Sequence, residues 1–190
     1  MLVVLAATAV VCLFFVRSYW IQGGPAHEAI EMAGLTLILI CVLGRAWSTM
    51  YIGGRKKVEL VRDGPYSVTR NPLYMFSFLG IAGIGAGAGS IALSVILLLL
   101  CYFVFRWVVA REEAYLAIVH GADYRRYMRE VPRFIPNLRK WRDVDTTSVS
   151  PKLVVRTAFE ASLFFLAFPL LEAVETLQLA GLLKAPIVLP

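Results

Sequence analysis

Between Leu73 and Ala110 the chain is almost unbrokenly apolar, a run longer than the roughly 20 residues that one membrane-spanning helix needs. In lipid every backbone polar group must be satisfied within the segment, which leaves helices as the simple solution for such a run. The run therefore divides into two spans, Leu73–Gly89 and Ser90–Ala110, folded into a hairpin by a tight turn near Gly87–Ser90. Three further stretches fit the same reading. Met1–Val16 is uncharged and a little short. It has no basic leader and no small-residue cleavage site, so it reads as a span rather than a removed signal. Tyr19, Trp20 and Ile21 behind it form an interfacial anchor. Met32–Ile52 is interrupted only by Arg45. Leu153–Leu183, broken by Glu160, Pro169, Glu172 and Glu175, is a fifth, kinked span or a helix lying along the interface. The expected fold is all-α, a polytopic membrane bundle of about five helices. Its core is residues 1–152, and residues 153–190 form an appended helix.

Composition agrees. Of the 190 residues 59% are apolar and 17% charged, against about 45–50% and about 25% in soluble domains; mean hydropathy is +0.71. Disorder, a collagen-like repeat and a disulfide scaffold are excluded. The three cysteines, Cys12, Cys41 and Cys101, lie in apolar runs without C-x-x-C spacing, as buried small hydrophobes do.

Charge is placed unevenly. Fifteen of the nineteen Lys and Arg residues fall in residues 53–72 and 111–156, while the Arg17–Glu31 loop carries Arg17 alone. The positive-inside rule puts both basic loops on the cytoplasmic face. The high pI, about 9.4, thus needs no nucleic acid.

Those two loops hold most of the polar chemistry. The first reads Asp63-Gly64-Pro65-Tyr66-Ser67-Val68-Thr69-Arg70-Asn71-Pro72-Leu73-Tyr74. Asp-Gly-Pro is turn chemistry, and Pro72 suits the first position of the helix that enters the membrane. Such a loop aims backbone N–H groups and the Arg70 guanidinium at an anionic ligand, or serves as a connector against lipid headgroups. The second continues the fourth span through Arg106 to Glu112-Glu113. Ionisable groups at that depth are functional candidates: one carboxylate is available for an ammonium group while the other pairs with Arg106 or Arg111. Between Ala122 and Glu130, Tyr124, Tyr127, Met128 and Val131 share one face with Arg125, Arg126 and Arg129 largely opposite, the pattern of an interfacial amphipathic helix. Val131-Pro132-Arg133-Phe134-Ile135-Pro136 closes it with a proline-fixed loop.

Two features carry less. Gly83-Ile84-Gly85-Ala86-Gly87-Ala88-Gly89 imitates a nucleotide loop but lacks the strand-helix context and the following acid, so Gly83/Gly87 and Gly85/Gly89 read as small-xxx-small packing pairs. His27 and His120 read as having no helical His or carboxylate partner at ligand spacing, and no metal site is expected.

Gly64-Pro65-Tyr66, Arg70-Asn71-Pro72-x-Tyr74, Glu112-Glu113, Gly121-x-x-Tyr124-x-x-Tyr127 and Val131-Pro132-x-x-x-Pro136 together resemble the isoprenylcysteine carboxyl methyltransferases and the related phospholipid methyltransferases, over Val58–Pro136. The resemblance implies an integral-membrane enzyme using S-adenosyl-L-methionine, whose cytoplasmic end encloses the cofactor beneath a tunnel open to the bilayer. It implies that Gly64, Pro65, Tyr66, Asn71, Pro72 and Tyr74 wall the cofactor pocket. Glu113, with Glu112, takes the methionine ammonium. Tyr124, Tyr127 and the loop containing Pro132 cover the adenosine, and Arg70 orients an anionic group of the acceptor near the reacting end. Asn71 stands where many members have His, and His120 where an aromatic often precedes the glycine. The implied partners are a lipophilic or lipidated acceptor entering from the bilayer and membrane lipids; the oligomeric state is open, with the glycine-rich span and the C-terminal helix each offering a contact to a second copy. Two other readings stand beside this one: a membrane NADPH-dependent sterol-type reductase, disfavoured by the acidic pair, and a non-enzymatic membrane subunit.

Overall fold

Proline sets the start of every long apolar segment except one in the computed structural model, which describes residues 16–53, 55 and 59–190. Helix α1 (Pro25–Ile52) begins after a Gly23-Gly24 turn, with Gly23 at φ 69°. A single turn, α2 (Pro65–Val68), precedes α3 (Pro72–Gly87). Helix α4 (Ile91–Val119) is the exception: Ser90 caps it, its Oγ accepting from Leu93 N at 3.1 Å. A proline at the first helical position gives up an N–H that has no intrahelical partner in any case, and a serine cap satisfies one of the orphan donors. Helix α5 (Gly121–Glu130) follows, then α6 (Pro151–Ser162) and α7 (Ala167–Leu179), joined by a 3-10 turn at Leu163–Leu166. Pro169 lies in the first turn of α7, where its ring opposes the carbonyl four residues back.

Helix α1, helix α4 and the α6–α7 segment are long and apolar enough to cross a membrane, while α3 is a shorter apolar helix of 16 residues. At 1.5 Å per residue α3 covers roughly 24 Å, short of a hydrocarbon core of about 30 Å. The five expected spans therefore reduce, among the described residues, to three long helices and one short one. The span expected over 1–16 lies almost wholly outside the described residues. Helix α4 does not stop at Ala110 but runs on to Val119, so the acidic pair sits on a rigid helix rather than at the head of a loop. Along α4, Ile91, Val95, Leu99 and Phe103 are exposed while Leu93, Leu97 and Cys101 are buried: a four-residue repeat turns one face inward and leaves an apolar face for lipid.

The chain divides into two compact units. One comprises the described residues up to Ile40 with Phe78–Val104 and Ser162–Pro190; the other is Cys41–Ser77 with Phe105–Ala161. In the first, the glycines act as helix contacts. A Cβ on Gly83 would lie 2.7 Å from the Gly34 carbonyl and 2.8 Å from Ile38 Cγ1, so the small-xxx-small reading of that stretch holds. The hairpin turn falls at Gly89, with φ 62°. A short parallel pair, β1 (Val16–Ser18) with β2 (Ile187–Leu189), was not foreseen.

Candidate active site

The second unit brings the two polar stretches of sequence into one cluster. Asn71 and Arg70 end the loop that Gly64 (φ 57°) turns; a Cβ on Gly64 would run into the Tyr51 ring. The loop is latched along its length to the segment after α5. Arg70 N donates to Pro132 O (2.9 Å), Asn137 N to Val68 O (2.9 Å) and Gly64 N to Arg142 O (2.7 Å). Thr69 Oγ1 donates to Arg133 O at 3.0 Å, and Tyr127 OH to Tyr66 O at 2.6 Å.

At the centre lies Glu113, 3% exposed. Its Oε1 accepts from Arg70 Nε at 2.9 Å and from Asn71 Nδ2 at 3.3 Å. Its Oε2 accepts from Arg133 Nη2 at 2.6 Å. A buried carboxylate needs such compensation, since desolvating an ion costs several kcal/mol. Arg70 is further held by Met128 O (2.5 Å) and Val131 O (3.0 Å) through Nη1, so its Nη2 is the edge without a partner among the described residues. The pairing expected with Arg106 or Arg111 is corrected here. Arg106 is exposed, and Arg111 stacks over Trp107 at 4.8 Å. Neighbours on one helix were the only partners sequence spacing exposed, whereas the actual partners come from distant loops.

Glu112 turns another way, accepting from Tyr74 OH at 3.3 Å. It borders a narrow cleft of about 40 Å³ that Tyr66, Arg70, Asn71, Tyr74, Tyr124 and Tyr127 also line. Tyr66 is buried and its hydroxyl has no hydrogen-bond partner, an arrangement that costs about 1–3 kcal/mol. Burial pushes the Tyr66 phenol well above its usual pKa, and it does the same to Tyr124 and Tyr127. Tyr124, Tyr127 and Val131 form a buried cluster against Leu60, Leu116, Ala117 and Met128. The aromatic face of α5 is thus spent on the protein's own core, not on lipid, and Arg125, Arg126 and Arg129 are exposed. On the far side of Arg70 an open groove of about 740 Å³ runs along Met128–Arg133 and Ile135–Lys140.

All the residues expected at the site lie in this unit. Gly64, Pro65, Pro72 and Pro132 shape the loops, while Tyr66, Arg70, Asn71, Tyr74, Glu112, Tyr124 and Tyr127 reach the cleft. Arg133 and Arg45 were not singled out. Arg133 occupied an unassigned place in the Val131–Pro136 motif. Arg45, donating to Ser77 Oγ at 2.6 Å, was noted only as an interruption, although an ionisable residue inside an apolar helix is itself a functional signal. His27 also needs correction: Glu31, one turn along α1, stands 3.8 Å away, and Glu175 stands 3.5 Å away.

Residues 31–123 match the family model described as phospholipid methyltransferase. The chain is 30% identical over 177 residues to the cobalt-zinc-cadmium resistance protein CzcN of Cupriavidus metallidurans, covering 93% of this chain and 81% of that one. It is 32% identical over 187 residues to the nickel-cobalt-cadmium resistance protein NccN of Alcaligenes xylosoxydans xylosoxydans, covering 98% and 87%. No solved structure matches.

Proposed function

We propose, from the premise that the chain belongs to the phospholipid methyltransferase family, that it moves a methyl group from S-adenosyl-L-methionine to a lipophilic acceptor, most readily a carboxylate such as that of an isoprenylcysteine. The observation that carries this reading is the cleft where Glu112, the unpartnered Tyr66 hydroxyl and the open edge of Arg70 converge on the aromatic pair Tyr124 and Tyr127. That set suits a zwitterionic nucleoside. A carboxylate attracts the ammonium, a phenol and an amide offer hydrogen bonds, and aromatic faces pack the base. The narrowness of the cleft means that the Gly64–Asn71 loop or α5 moves aside on binding.

Bound there, S-adenosyl-L-methionine would supply a methyl already activated on a positive sulfur. The chain's own task is then to align the acceptor and keep water out, and proximity provides much of the rate. An acceptor carboxylate is ionised at neutral pH and needs no base, in keeping with a site that holds no histidine among its lining residues. Arg70, fixed on one edge by Glu113, turns its other edge to that carboxylate. Glu112 borders the cleft and Glu113 is not among its lining residues, so Glu112 is the member of the pair we assign to the ammonium. Glu113 is the residue that positions Arg70.

The positive-inside rule supports a cytoplasmic site, with the acceptor arriving sideways from the bilayer. The names of the two relatives suggest a setting for this chain in tolerance of divalent metals, through modification of a membrane component.

Equilibrium binding of radiolabelled S-adenosylmethionine to detergent-purified protein tests the reading. Saturable binding that Glu112→Gln weakens at least tenfold, and that NADPH does not displace, is expected. Folded protein that binds none overturns it, and displacement by NADPH would favour a reductase.

A further inference from the structure

The first unit contains a second cavity, of about 400 Å³, whose polar lining is Gln22, His27, Glu28, Glu31, Glu172 and Glu175. Four of the chain's thirteen acidic residues meet there, and no Lys or Arg is among the described residues that line it. His27 is 3% exposed. Its Nε2 is buried without a hydrogen-bond partner, and so is the Gln22 Oε1 atom of the same cavity. Two buried polar atoms left unsatisfied in one acidic cavity mark a place for a ligand that accepts electron pairs.

We propose that His27, Glu31 and Glu175 bind a divalent transition-metal ion, of the zinc, cobalt or nickel kind. One donor atom from each, the histidine giving a ring nitrogen, lies within 4.8 Å of the other two. A tetrahedral ion with bonds of about 2.0–2.2 Å holds its donors roughly 3.4 Å apart. Closure therefore asks for about an ångström of movement, which two half-buried glutamates can make. The nitrogen selects the class: imidazole suits zinc, cobalt and nickel, whereas calcium and magnesium prefer oxygen throughout. Water would complete the shell, with the unsatisfied Gln22 Oε1 accepting a hydrogen bond from it. Three protein ligands and an exchangeable position describe a reactive or transient site rather than a closed structural one.

The surrounding fold holds the histidine in place. Gly89, at φ 62°, lies so close to the imidazole that any Cβ there would collide with it. Ser18 Oγ fixes that turn by donating to Gly89 O at 2.8 Å. A simple ion-pair triad is the competing account, but at 3.8 and 3.5 Å from its two glutamates His27 stands beyond a good N–H···O hydrogen bond.

The test is titration of the full chain, purified in detergent with a histidine-free tag, with Zn²⁺ by calorimetry and with Co²⁺ by visible absorption. One ion per chain is expected, with cobalt bands of a nitrogen–oxygen site of low coordination number. Glu175→Gln and His27→Gln should each weaken Zn²⁺ at least tenfold. Glu160→Gln, outside the cavity, should change nothing, and S-adenosylmethionine binding should persist in all three. Failure of the wild-type protein to bind Zn²⁺ saturably overturns the proposal whatever the variants do. So does binding that Glu175→Gln leaves intact in folded protein.

Discussion

Glu113 is held by two guanidiniums that are not equivalent. Arg70 is 9% exposed and makes two further bonds to carbonyls, whereas Arg133 is 35% exposed and its Nε is without a partner. Breaking a buried pair by removing one partner costs about 3–5 kcal/mol, because the remaining charge stays desolvated. A partner that water reaches is replaced at smaller cost. Thermal unfolding in detergent should therefore rank Arg70→Ala as the more destabilising change, near the full figure, and Arg133→Ala well below it. Equal losses would mean that Glu113 is more hydrated than its burial implies. Tyr66 gives the opposite sign. Its hydroxyl has no partner, so Tyr66→Phe should raise the melting temperature of the free protein, by about 1 kcal/mol of relieved desolvation. The same change should weaken S-adenosylmethionine binding in a direct titration. A variant that is both less stable and unchanged in binding would show that the hydroxyl is satisfied by water and faces no ligand. The residues of this site were legible because their types cluster in two stretches. Their pairings were not, since Glu113 meets Arg70 across 43 positions, a distance at which periodicity carries no information.

At the scale of elements, helix packing rests on missing side chains. Helix α3 approaches α1 at Gly83, where the Gly34 carbonyl leaves no room for a methyl group. Gly83→Ala should then cost about 1–3 kcal/mol, as overpacking does, despite alanine's better helix propensity. Gly121→Ala is the comparison: nothing lies within 4 Å of the added carbon, and only its φ of 57° resists, a strain of about 1–2 kcal/mol. The buried tyrosines of α2 and α5 make a different prediction. Burial raises the Tyr66, Tyr124 and Tyr127 pKa values above the ordinary one near 10. The folded state therefore keeps phenolic protons that the unfolded state releases. Their contribution is fully present below about pH 10 and is lost as pH rises through the folded values. Melting temperature measured from pH 8 to 11 should stay level at first and then fall, and Tyr127→Phe should make the fall shallower. These elements were foreseen wherever a 3.6-residue pattern or a proline start announced them. The β1–β2 pair was not, because three-residue strands at opposite ends of a chain leave no local trace, and Glu175 reached His27 by the same kind of long-range return.

For the molecule as a whole, the decisive property is the distribution of charge along an apolar chain. Hydropathy made the helical class legible, but it could not tell a span from a short buried helix. Helix α3 has the composition of a span and about four-fifths of the length. Orientation is a separate question, and the expectation for it rests on where cations stand, not on how many there are. Lys and Arg close to a span resist translocation, and fifteen of nineteen lie in residues 53–72 and 111–156, which bracket the α3–α4 hairpin. A hairpin that crosses twice, or that enters and returns, keeps both stretches on the same side. A cysteine placed at Asp145, in the exposed segment before α6, should accordingly react with a membrane-impermeant thiol reagent only after the cytoplasmic side is opened. Cys41 and Cys101, both buried, should stay unlabelled in the same preparation. Labelling of Asp145→Cys in intact cells would reverse the orientation. It would also move the proposed methyl-transfer site away from the compartment that contains S-adenosylmethionine, so this one result constrains topology and chemistry together.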